Sequence, residues 1–152
     1  MRPIEILLVE DNAGDVRLTE QCLQEGGAAP SLHVLGRGDE ALAYLRREGR
    51  FASAPATDLV LLDLSLSGKS GRELLVEIKR DPALARIPVI VLTASQSSED
   101  MRHAYDSHAN CFIAKPPDEA GFSSAIASLR AFWLTHAILP PAASLTRWQD
   151  NS

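Results

Sequence analysis

Leu59-Val60-Leu61-Leu62-Asp63 is a run of four apolar residues closed by an acid. A strand with one face in water alternates apolar and polar residues. A run that is apolar throughout suits a strand covered by helices on both faces. The pattern recurs at Val89-Ile90-Val91-Leu92 and, with one interruption, at Ile4, Ile6, Leu7, Leu8 and Val9. Leu32, Val34 and Leu35 make a weaker run, and Cys111-Phe112-Ile113 a short one. Between these runs the apolar spacing becomes helical, as in Val16, Thr19, Leu23; Leu42, Leu45; Leu74, Leu75, Ile78; and Phe122, Ile126, Leu129, Trp133. Helix stops are expected at Gly26-Gly27, at Gly49 and at Asp81-Pro82, and helix starts at Ser97 and Asp118. The order is β-α repeated five times. Right-handed crossovers turn it into an α/β fold, a single doubly wound parallel sheet.

The chain has 152 residues, a net charge of −5 and two cysteines, with 45% hydrophobic and 23% charged residues. That length favours one domain, and the composition argues against wholesale disorder. Cys22 and Cys111 are too few for a disulfide framework, which fits a reducing, cytoplasmic setting. The longest apolar runs fall well short of the roughly 20 residues of a membrane helix, and MRPIEILLVED is too short and acidic for a signal peptide. Bulk charge argues against a grip on nucleic acid.

Ligand sites in parallel sheets lie beyond the carboxyl ends of the strands. The residues following the runs are Glu10 and Asp11, Asp63, Thr93 and Lys115. Three carboxylates at one edge repel one another unless a cation sits among them. A hard divalent ion is the economical answer, since Mg²⁺ binds through a few carboxylates and keeps waters for phosphate oxygens. Lys115 supplies a point charge for a phosphoryl oxygen, and Thr93 a hydroxyl donor. Together they are the equipment of phosphoryl transfer to a carboxylate. Singly, each has a plainer reading: a solvated acid, a turn threonine, a surface lysine. A flavin- or nucleotide-binding enzyme of the flavodoxin-like kind would need a phosphate-cradling glycine turn after the first strand. Here that turn is EDNAGD, with one glycine and three acids.

These motifs resemble a response-regulator receiver domain, the CheY-like variant of the flavodoxin-like fold with strand order 2-1-3-4-5. ILLVEDN resembles the family's first strand with its acidic pair, LVLLDLSL its acceptor turn, VIVLTAS its switch-threonine strand and CFIAKP its Lys-Pro corner. VEDNAGDVRL and the long last helix with its tail look similar to single-domain regulators that partner bacterial phytochromes. The resemblance implies that Asp63 accepts a phosphoryl group from a sensor histidine kinase. It implies that Glu10, Asp11, Asp63 and the backbone carbonyl of Ser65 hold Mg²⁺, and that Thr93 and Lys115 contact the phosphoryl group. It also makes Phe112 an aromatic switch and Lys115-Pro116 a candidate cis bond. The protein would act as a stand-alone phosphorylation switch, without enzymatic turnover of its own beyond gaining and losing the phosphoryl group. The alternative is a phosphorelay intermediate or phosphate sink with the same chemistry and no conformational output. Two departures stand in the acceptor turn: Ser67 replaces the family's usual proline and Ser70 its aspartate, so with Gly68 a looser loop is expected.

Residues 1–139 are expected to form the receiver domain, and residues 140–152 a tail that could serve as a dimerisation arm. Phe132, Leu134 and Ile138 exceed what one stripe can bury beside Trp133, which predicts a homodimer contact extended by Pro140-Pro141 and Trp148. By resemblance that contact uses the fourth helix, fifth strand and fifth helix. The four histidines share no metal-ligand spacing.

Overall fold

The computed structural model describes residues 3–25 and 29–140. Gly26-Gly27 and the segment from Pro141 through Trp148 to the C-terminus, the expected helix stop and dimerisation arm, lie outside the described residues. The elements are β1 (Glu5–Val9), α1 (Ala13–Gln24), β2 (Ser31–Leu35), α2 (Gly38–Arg46), β3 (Leu59–Leu62), α3 (Gly71–Arg80), β4 (Val89–Thr93), α4 (Ser98–Asp106), β5 (Cys111–Ala114) and α5 (Glu119–Arg130). A 3-10 turn at Gly49–Phe51 follows α2, and a π-helical segment, Ala131–His136, continues α5. The sheet order is β2-β1-β3-β4-β5 with every pair parallel, as expected.

Strand side chains alternate between faces, so an all-apolar strand feeds two cores at once. Leu7, Val9, Val60, Leu62, Val89 and Val91 pack on one face against Leu42, Leu45, Leu74, Leu75, Ile78 and Ala104. Ile6, Leu8, Leu59, Leu61, Ile90 and Leu92 pack on the other against Cys22, Leu23, Phe122, Ile126 and Leu129. Helices on both faces leave the sheet's two ends as the places where polar groups can gather. Among the described residues no helix is long and apolar enough to cross a membrane.

The capping chemistry is local and mostly as expected. Asn12 Oδ1 accepts the Asp15 N–H at 2.9 Å, Ser70 Oγ the Glu73 N–H at 3.1 Å, Ser97 Oγ the Asp100 N–H at 3.3 Å, and Asp118 Oδ2 the Gly121 N–H at 2.8 Å. The stop of α2 differs. Arg47 (φ 58) takes the left-handed position, its N–H reaching the Tyr44 carbonyl, and Gly49 comes two residues later. The wide turn after α5, closed by the Ala137 N–H on the Phe132 carbonyl at 2.7 Å, lets both Trp133 and Leu134 pack on the sheet. Leu134 is thereby half-buried against the core, while Phe132 (55%) and Ile138 (95%) stay exposed.

At the far end of the sheet Lys79 of α3 acts as a peg. Its Nζ donates to the Ala85 carbonyl (2.9 Å), the Ile87 carbonyl (2.8 Å) and Asn110 Oδ1 (3.1 Å), and Asn110 Oδ1 also accepts the Val89 N–H (2.8 Å). Burial pushes the Lys79 amine down to about 8. Lys79→Met keeps the stem and orphans the acceptors, so it should lower unfolding free energy by about 1–3 kcal/mol in urea titrations.

Candidate functional site

Three ladders each run one residue past their strands, and those three residues build the site. The Glu10 N–H bonds the Leu35 carbonyl (3.0 Å), the Asp63 N–H the Val9 carbonyl (3.0 Å), and the Lys115 N–H the Thr93 carbonyl (2.7 Å). Sheet geometry therefore holds their Cα positions, and all three side chains are buried. Lys115 Nζ donates to Glu10 Oε1, to Asp63 Oδ2 at 3.0 Å and to Asp15 Oδ2 at 2.8 Å. Each buried carboxylate gives its other oxygen to backbone: Glu10 Oε2 accepts the Asn12 N–H (3.1 Å), and Asp63 Oδ1 the Ser65 N–H (3.1 Å).

The environment drives the two buried acids apart. Burial pushes Glu10 up to about 7 against the Lys115 hydrogen bond, and the nearby Asp63 charge adds to the rise. Burial works the same way on Asp63, but the Ser65 N–H and Lys115 outweigh it and hold its carboxyl below the usual range. Burial likewise opposes the Lys115 ammonium, yet its bonds to Asp15, Glu10 and Asp63 raise it above an ordinary lysine. Two titratable groups pushed in opposite directions are a mark of functional sites. Asp63 stays an anion with an oxygen directed at a cation.

The other expected residues are placed less directly. Asp11 is exposed, and its Oδ2 accepts the Ser67 hydroxyl at 3.2 Å. Thr93 is fully buried, but its Oγ1 accepts the Ser95 N–H at 3.4 Å and does not meet Asp63 or Lys115. Phe112 is half-buried against the core on the α4 side, its N–H donating to Tyr105 Oη at 3.1 Å. The Lys115–Pro116 bond is trans, in place of the cis bond considered from the sequence. A trans bond is the ordinary preference of an X-Pro pair.

The acceptor loop is better anchored than its Ser-Gly composition suggests. Ser67 is tied to Asp11 and pairs with Arg37 in an isolated bridge, and Ser70 caps α3. Within this loop Gly68 takes a positive φ (+74). Gly71 lies so close that a Cβ would sit 2.3 Å from the Asp63 carbonyl oxygen.

Asp15, on the first turn of α1, was not among the sequence candidates. An acid there reads as a favourable charge at a helix N-terminus, and nothing in its spacing points across the sheet to residue 115. The link from Ser95 Oγ to Asp100 Oδ2 (2.6 Å) was equally silent.

The donor chemistry suits a hard divalent cation, because Glu10, Asp11 and Asp63 offer carboxylate oxygens at one edge and Lys115 shows that the pocket calls for positive charge. As arranged around Lys115, the described residues hold no cluster of three acids at ligating distance, so Glu10 and Asp63 must turn from the ammonium to take an ion.

The family model for response regulator receiver domains matches residues 6–127. The chain belongs to that family. The receiver is 39% identical to the response regulator Rcp1 of Synechocystis sp. over 140 residues, 92% of this chain and 95% of the relative. Among solved structures it resembles the phosphorylated cyanobacterial phytochrome response regulator RcpA (44% identity, TM-score 0.90, 92% of this chain and 100% of that one). It also resembles the Mn²⁺-bound form of Rcp1 (39%, 0.89, 91% and 100%) and the bacteriophytochrome response regulator RtBRR (33%, 0.71, 99% and 93%). Receivers are signalling proteins rather than an enzyme family, and a divalent metal accords with the Mn²⁺-bound relative.

Removing the ammonium leaves two buried carboxylates without their cation. Lys115→Ala should therefore cost about 3–5 kcal/mol of stability in EDTA. Millimolar Mg²⁺ should return part of it, read as a rise in thermal midpoint larger than the wild-type receiver shows.

Proposed function

We propose that this receiver accepts a phosphoryl group on Asp63 from the phosphohistidine of a sensor histidine kinase, and that phosphorylation changes its partner surface. The observation that carries the reading is Asp63 itself: buried, held charged, with one oxygen on the Ser65 N–H and the other on Lys115. Glu10, Asp11, Asp63 and the Ser65 carbonyl would hold Mg²⁺, which lowers the repulsion between the acid and an incoming phosphoryl group. In the transfer an Asp63 oxygen forms a bond to phosphorus as the P–N bond to the donor imidazole breaks. The bonding pair returns to that nitrogen, which takes a proton and leaves as neutral imidazole.

The new oxyanion then recruits this chain's own donors. Lys115 keeps an N–H on it. Thr93 turns its hydroxyl to donate to a phosphoryl oxygen, and Phe112 follows into the space the threonine leaves. Tyr105 of α4 stands beside that side chain, its hydroxyl accepting the Phe112 backbone N–H, so α4 is the helix next to the moving ring. The likeness to RcpA, Rcp1 and RtBRR supports a phytochrome as the kinase partner, in the cytoplasm.

A homodimer through α4, β5 and α5 completes the reading. Met101 (44%) and Tyr105 (48%) on α4 and Phe132 and Ile138 beyond α5 are the exposed large apolar residues among those described. β5 is the edge strand of the sheet, and these side chains on and beyond its neighbouring helices would supply the apolar contacts of such a dimer.

Intact mass after incubation with acetyl phosphate and Mg²⁺ should show one phosphoryl adduct, missing from Asp63→Asn and from the EDTA control. A folded receiver without an adduct that also fails to bind beryllofluoride overturns the reading. For the dimer, Phe132→Glu with Ile138→Glu should weaken self-association by about tenfold or more in analytical ultracentrifugation, given ~1.5–3 kcal/mol per buried large apolar side chain. An unchanged sedimentation profile removes this face from the interface.

A further inference from the structure

We propose that Asp15 is a positioning residue that holds Lys115 throughout phosphoryl transfer. The proposal rests on Asp63 as the acceptor and assigns a role to the third carboxylate of the site. An ammonium has three N–H donors, and here Glu10, Asp63 and Asp15 take all three. Two of those partners change state during the reaction. Asp63 becomes an acyl phosphate, and Glu10 is one of the residues that would hold Mg²⁺. Asp15 takes no part in that exchange, so its bond to the ammonium can persist while the other two are remade.

Its placement suits that task. Asp15 sits in the first turn of α1, where its backbone N–H is fixed by the Asn12 cap, and the Asn12 N–H is fixed in turn by Glu10 Oε2. α1 is anchored in the core through Cys22 and Leu23. The Asp15 side chain is 32% exposed against 4% for Glu10 and 9% for Asp63, which makes it the outermost of the three. Its bond gives Lys115 Nζ a partner on the more exposed side of the site. Without it the ammonium would settle between Glu10 and Asp63 and stand in the way of both the metal and the phosphorus.

Position and charge predict opposite results. As a mere negative charge beside an anion-binding site, Asp15 would repel the phosphodonor, and its removal would speed phosphorylation. As the tether of Lys115, its removal slows it, since small displacements of a catalytic group cost large rate factors.

The experiment follows the initial rate of adduct formation from acetyl phosphate with Mg²⁺, and beryllofluoride affinity, in Asp15→Ala, Asp15→Asn and Asp15→Glu, each with and without Lys115→Met. The expected result is a loss of about tenfold in both readouts for Asp15→Ala, a smaller loss for Asp15→Asn, and recovery in Asp15→Glu. In the Lys115→Met background Asp15→Ala should cause no loss, because the effect travels through the lysine. Should Asp15→Ala fold poorly, the asparagine and glutamate variants carry the same comparison. Unchanged or faster phosphorylation overturns the proposal, and so does an equal loss in both backgrounds, which would place Asp15 on the metal instead. Wild-type receiver without any adduct or beryllofluoride binding refutes the Asp63 reading itself, a separate outcome.

Discussion

Everything at the carboxyl edge of this sheet depends on one buried ammonium. Glu10 and Asp63 could not both stay ionised side by side in a low-dielectric pocket without a cation between them, and Lys115 supplies it. Burying charge is expensive unless it is paired and its remaining bonds are filled. Here each carboxylate oxygen facing inward has an N–H partner, either on the ammonium or on the backbone. The pair is thus stable enough to exist and ready to be exchanged. A divalent ion and a phosphoryl group offer the same charges in another arrangement, so the resting contacts already match what the site is built to receive.

The fold makes this possible by leaving polar groups nowhere else to go. With β1, β3 and β4 apolar on both faces and helices on each, hydrogen-bonding side chains collect at the strand ends. Parallel ladders then continue past Val9, Leu62 and Ala114 by one residue and set the spacing of the three charged groups. The position of the site and the position of the core have the same cause.

That shared cause explains what could be read in advance. Glu10, Asp63 and Lys115 were legible because each ends an apolar run, and a strand end in a doubly wound sheet is a place of known meaning. The strand order followed from resemblance and matches the sheet found. Asp15 was hidden because its partner lies 100 residues away and its helical setting gives an acid an ordinary local use. Asp11 had the right type and place, yet its side chain answers to Ser67, a contact created by a departure in the acceptor loop. The same contact gives the loop a tie that its composition did not announce. Thr93 was located, but which way a hydroxyl turns is settled by neighbours such as the Ser95 N–H, which carry no sequence signature. Arg47 took the left-handed position expected of a glycine, since closure of the α2 end satisfied two carbonyls there.

One consequence concerns mechanics. α4 buries a single residue, Ala104, whereas α3 buries Gly71, Leu74, Leu75 and Ile78. Below it, the turn into β5 carries Asn110, clamped by Lys79 and the Val89 N–H; above it, Ser95 and Asp100 hold the loop beside Thr93. A helix with so small a footprint on the core is held mainly through its two ends, by the Lys79–Asn110 clamp beyond its foot and by the Ser95–Asp100 bond at its head. Whatever shifts that helix has to remake few apolar contacts, and the bonds it must remake lie at its two ends rather than along the sheet.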